Sequence, residues 1–86
     1  MVYRNPSQEF SRLDGEVIML CFDSGAYLSL NETASRIWEL CEEKTSIAEV
    51  SKQINSEYDV DYSTAESEVI QCLSELEEKG LILADE

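Results

Sequence analysis

The chain contains no histidine, one proline (Pro6) and three glycines. Without an imidazole there can be neither a Cys/His zinc site nor a thiol–imidazole nucleophile. Cations are also scarce: Arg4, Arg12, Arg36, Lys44, Lys52 and Lys79 stand against 19 acidic residues, for a net charge of −13. Nucleic-acid binding depends on clustered cations that displace counterions from phosphates, so this balance argues against a DNA or RNA partner. It argues equally against an anionic membrane surface. No run approaches the ~20 apolar residues of a membrane span. The opening MVYRNPSQEF lacks the apolar stretch of a secretory signal, so the expected location is cytoplasmic. The partner that this charge favours is a basic or neutral peptide, or a protein with a positive patch.

What is present is enough for one small domain over residues 1–86, with 43% hydrophobic residues to build a compact core. Cys21, Cys41 and Cys72 are odd in number and widely spaced. A three-thiolate metal site or a redox role is the sharper reading. The plainer one, which we adopt, is three reduced thiols acting as small hydrophobes, because each sits inside an apolar pattern. No metal and no cofactor are expected.

The first third reads as β and the rest as α. Pro6 makes residues 1–9 an extended lead-in rather than a central strand. Phe10 to Leu13 is a short strand, and Asp14-Gly15 is a hairpin turn signal because both residues tolerate positive φ. EVIMLCF (16–22) is apolar on both faces, as suits a central strand. Asp23-Ser24-Gly25 is a second turn, and Ala26 to Leu30 a third strand at a sheet edge. Asn31 is a good N-cap for a first helix, with Ala34, Ile37, Trp38 and Cys41 on one stripe. Ser46 to Glu49 has capping-box spacing and opens a second helix with stripe Ile47, Val50, Ile54; Ser63 to Glu66 repeats the box for a third. There Val69, Cys72, Leu73 and Leu76 form the core stripe, Gly80 is placed to stop the helix, and Leu81-Ile82-Leu83 folds back on the core. The expected class is α+β with winged-helix character: a three-stranded antiparallel sheet followed by a three-helix bundle.

Catalytic patterns are missing. The glutamates at 39, 42, 43, 75, 77 and 78 read as solvated helix faces rather than carboxylates held in a pocket. Asp59 and Asp61 share the alternate spacing of a calcium loop without its glycine or closing glutamate. Neither a phosphate-binding glycine loop nor a nucleophile elbow occurs. A transcriptional winged-helix module is the competing binding class. Its third helix carries Glu66, Glu68, Glu75, Glu77 and Glu78, which the major groove would repel.

Binding through shape remains. The strand Ala26–Leu30 has neither charge nor proline to protect it as an edge, as natural edges usually do, so a peptide could add to it as a further strand. On the third helix Ile70 lies off the core stripe, flanked by Glu66, Leu73 and Glu77. If that flank faced the strand, the two would form a groove with an apolar floor and acidic rims, suited to an extended peptide with apolar anchors and some positive charge.

The run DGEVIMLCFDSGAYLSLNETASRIWEL resembles the signature region of the family of pyrroloquinoline-quinone biosynthesis protein D (PqqD). The helix start at Thr45–Glu49, the connector EYDVD and the closing ELEEKGLI extend the likeness over about residues 10 to 83. It implies a recognition element for ribosomally made, modified peptides (RiPPs) that binds the precursor's leader as an added strand against the third strand and third helix, and does no chemistry. The LNETAxxIW run, and Cys41-Glu42-Glu43 where quinone-cofactor members carry an aspartate-glycine pair, look more like the lasso-peptide branch. That branch implies a precursor leader, a cysteine-protease-like leader peptidase and an ATP-dependent cyclase as partners, with the quinone-cofactor chaperone as the alternative. Monomer and homodimer both remain open. Carried onto this chain, the peptide-binding role falls on Ala26, Tyr27, Leu28, Ser29 and Leu30 of the strand, and on Glu66, Val69, Ile70, Leu73 and Glu77 of the helix. Ile37 and Trp38 read as core.

Overall fold

Asp14 and Gly15 both adopt positive φ, +53° and +82°, the mirror-image turn whose twist suits a two-residue hairpin. They join β2 (Phe10–Leu13) to β3 (Glu16–Cys21), and β4 (Ala26–Ser29) pairs antiparallel on the other side of β3. The computed structural model describes residues 1–21 and 25–85. Phe22 and two residues of the expected second turn, Asp23 and Ser24, therefore lie outside the described residues; Gly25 has φ +70°. In the order β2-β3-β4 the doubly apolar β3 is central, as its composition requires. Val17 and Met19 are buried on the face that meets the helices.

Three helices follow: α1 (Glu32–Leu40), α2 (Ile47–Glu57) and α3 (Tyr62–Glu78). Asn31 caps α1 by accepting from the Ala34 amide at 2.8 Å, and Ser46 caps α2 by accepting from Glu49 at 3.1 Å. The expected start of α3 at Ser63 is corrected: the helix begins at Tyr62 behind Asp61, which makes no side-chain cap. Its end is as expected. Gly80 at φ +75° lets Leu81 N–H reach Leu76 O and Gly80 N–H reach Glu77 O, both at 2.9 Å, the paired bonds of a Schellman stop.

The termini are the main correction. Val2–Arg4 is not an unpaired lead-in but a strand, β1, in an antiparallel ladder with β5 (Ile82–Ala84). Its second edge is tied to the α1–α2 connection: Val2 and Thr45 exchange both backbone hydrogen bonds, at 2.7 and 2.9 Å, and Arg4 N–H reaches Cys41 O. Pro6 does its breaking work in the turn after β1, where Gln8 N–H closes back on Asn5 O and Asn5 Oδ1 accepts from Ser7. The Arg4 guanidinium lies 4.9 Å from the Phe10 ring and 5.5 Å from Trp38, and the two rings meet edge to face at 5.5 Å. The α+β class and the strand-then-helix order stand. The ladder joining the two termini is an addition to them.

The core gathers Val17, Met19, Ile37, Trp38, Cys41, Val50, Ile54, Val69, Leu73, Leu76, Leu81 and Ile82. No helix among the described residues is long and apolar enough to cross a membrane.

Candidate functional site

Leu30 N–H donates to Val17 O at 2.8 Å, which fixes the polarity of β4. Hydrogen-bonded and non-bonded pairs alternate along an antiparallel ladder, so Leu28 bonds inward to its partner Met19. Tyr27 and Ser29, opposite Leu20 and Ile18, then turn their N–H and C=O groups away from β3. Gln8 supports this phase: its Nε2 donates to Leu20 O at 2.9 Å, so that carbonyl points toward β2 and not toward β4. The outer side of β4 meets no strand among the described residues. Side chains alternate too. Leu28 and Leu30 face the helices, half-buried and buried, whereas Tyr27 is 77% exposed.

Ser35 explains why β4 stops where it does. Its hydroxyl, 1% exposed, accepts from Val17 N–H at 2.9 Å and donates to Leu30 O at 3.0 Å. The last rung of the β3–β4 ladder is thus bridged by a side chain of α1, which locks that helix against the end of the edge strand.

Beside this edge lies a groove of about 380 Å³. One wall is Leu28, Leu30, Asn31, Thr33, Ala34 and Ile37; the other is the α3 stripe Glu68, Gln71, Cys72, Glu75, Leu76 and Lys79. Burial, with smaller pushes from Cys41 and Glu75, raises the Cys72 thiol to about 11; burial raises Cys41 to about 11 against the pull of Arg4. Both stay protonated at neutral pH and are poor nucleophiles. Among the described residues no group of His, Cys, Asp and Glu is arranged to hold a metal ion. The groove can seat apolar side chains on its floor and meet charges on its rim, beside backbone groups that can pair with an extended chain.

Only two of the ten residues singled out in the sequence line this groove, Leu28 and Leu30. Tyr27 and Ser29 adjoin it through their outward backbone groups, and Ala26 begins the same strand. On α3, Val69 and Leu73 are core. Glu66, Ile70 and Glu77 do not line the groove: at ~100° per residue they lie on the opposite flank of α3 from Glu68 and Glu75. Both flanks carry glutamates, so charge did not distinguish them. Cys72, the apolar residue on the groove side, was the available signal.

The family model described as Coenzyme PQQ synthesis protein D (PqqD) matches residues 16–82. The chain belongs to the PqqD family. A solved chain described as TbiB1, in complex with the TbiA(beta) leader peptide, is 33% identical to this PqqD-family chain. The TM-score is 0.82, and the match covers 96% of this chain and 99% of that one. A lasso peptide synthetase B1, also solved with a leader peptide, is 29% identical at TM-score 0.81, over 96% and 98% of the two chains. The PqqD portion of Methylobacterium extorquens PqqCD, described as a stand-alone RiPP recognition element, shares the fold at 13% identity and TM-score 0.77, over 96% and 88%. The expected likeness to the lasso-peptide branch holds. A comparison with the curated proteins finds no match.

Proposed function

We propose that this PqqD-family chain is a non-catalytic adaptor of lasso-peptide biosynthesis. It binds the leader segment of a ribosomally synthesised precursor as a strand added to β4 and presents it to a leader peptidase and an ATP-dependent cyclase. The observation that carries this reading is the conjunction of the outward backbone groups of Tyr27 and Ser29 with the apolar groove of Leu28, Leu30, Ile37, Cys72 and Leu76 beside them. Support comes from the two relatives near 30% identity, both solved with leader peptides.

Magnitudes divide the labour. Tyr27 and Ser29 offer four outward backbone groups, and four hydrogen bonds at ~1 kcal/mol each make only a roughly millimolar complex. The apolar side chains lodged in the groove must supply the rest, at ~2 kcal/mol for each one well buried. The backbone gives the mode of binding and the groove gives its affinity.

Ser29→Pro tests the mode selectively. The Ser29 amide points away from β3, where proline is tolerated in an edge strand, so the fold should persist while an added strand loses a donor and meets the ring. With a fluorescently labelled leader from the neighbouring precursor gene, anisotropy should report saturable binding to the wild type and at least ~10-fold weaker binding to the variant. Equal binding by both would remove strand addition at β4 from the account.

A further inference from the structure

Lys79 stands apart from most of the protein's few cations. Arg4, Arg12, Arg36 and Lys44 are engaged in ion pairs; Lys52 and Lys79 are in none among the described residues, and of these two only Lys79 lines the groove. Its backbone is also held in place. Lys79 is the C-cap of α3, immediately before the Schellman stop, and the Gly80 carbonyl that follows accepts from Asn5 Nδ2 at 2.9 Å. The acidic residues of the same wall, Glu68 and Glu75, are likewise outside every ion pair among the described residues. The wall therefore carries a graded charge, negative along most of its length and positive at the end where the helix stops.

Resting on the leader-binding reading above, we infer that Lys79 is a specificity residue that sets the charge register of the bound peptide. The groove selects an extended peptide with an acidic side chain opposite Lys79, set beside the apolar side chains that fill its floor. The net charge alone makes a different demand, for positive charge anywhere in the peptide. The acidic requirement at one position comes from Lys79.

A display selection of random 12-residue peptides tests this with no ligand chosen in advance. Wild type, Lys79→Glu and the neutral Lys79→Met are used as baits, each checked for folding by circular dichroism. The wild-type pool should enrich Asp or Glu at one fixed position relative to its apolar anchors. Lys79→Glu should exchange that acidic preference for a basic one, and Lys79→Met should abolish it while the apolar anchors persist. A peptide from the wild-type pool should lose about two- to fivefold in affinity on Lys79→Glu and regain it when its acidic residue is changed to Lys. Pools that bind but show the same preferences on all three baits overturn the role of Lys79 and leave peptide binding intact. Failure to recover binders on any bait overturns the peptide-binding reading itself, and this inference with it.

Discussion

At the scale of single residues, Ser35 and Cys72 carry more of the site than sequence reasoning assigned them. The Ser35 hydroxyl bridges Val17 N–H and Leu30 O across the last rung of the sheet. Ser35→Ala leaves both groups buried without that partner, which costs about 1–3 kcal/mol and should appear as a lower midpoint in urea unfolding. Leader affinity should fall with it, because Leu30 and Asn31 line the groove. Ile70 and Cys72 make an opposed pair. From the sequence, Ile70→Glu would weaken leader binding. With Ile70 44% exposed and outside the groove, the same change should leave leader affinity within about twofold. Cys72→Glu, which puts a carboxylate on the apolar floor, should weaken it at least ~10-fold. Titration of the two variants by anisotropy separates the two flanks of α3.

At the scale of elements, what could be read in advance was whatever local chemistry decides. The Asp14-Gly15 turn, the Asn31 and Ser46 caps, the Gly80 stop and the central place of EVIMLC all depend on neighbours in the chain. The β1–β5 ladder was not legible, because Val2–Arg4 is three residues beside a proline and its partner lies at the far end of the chain; only tertiary pairing makes it a strand. The groove flank of α3 was hidden for a similar reason. A helical stripe shows which residues are buried but not which side of the stripe meets a distant strand. The terminal ladder is consequential. Val2 is buried in it and tied to Thr45, so Val2→Ser should lower stability by about 1–2 kcal/mol although it lies at the chain's edge. An ion pair adds to the core packing between α1 and α2: Arg36 holds both carboxylate oxygens of Glu57 at 2.7 Å, and Arg36 also approaches Glu39, which pairs with Arg12. The hydrogen bond from Arg36, aided by Gln53, lowers the Glu57 pKa from its ordinary 4.5. A depressed carboxyl stabilises the fold fully above that ordinary value and loses its contribution as pH falls through the lowered one. Stability measured by urea unfolding should therefore drop less between pH 5 and pH 3 in Glu57→Gln than in the wild type.

At the scale of the whole molecule, a net charge of −13 is spread over helices, turns and termini, and α3 presents Glu68 and Glu75 to the groove it walls. That field repels nucleic acid, so labelled duplex DNA should show no mobility shift even at low salt, where phosphate contacts are strongest. In the proposed function the same field would draw a peptide with basic residues toward an edge strand bare of charge and proline. The two halves of the fold serve the same groove. The sheet presents a strand with one side open, and α3, stopped at Gly80 and pinned by the terminal ladder, provides the wall beside it.

The alternation of β4 makes strand addition directly measurable. Amide hydrogen exchange, resolved residue by residue by NMR, should be compared with and without saturating leader peptide. The amides of Tyr27 and Ser29, which point to the open edge, should become strongly protected, while Leu28, already bonded toward Met19, should change little. Tyr27 and Ser29 exchanging at the same rate in the saturated complex as in the free protein would contradict strand addition at this edge.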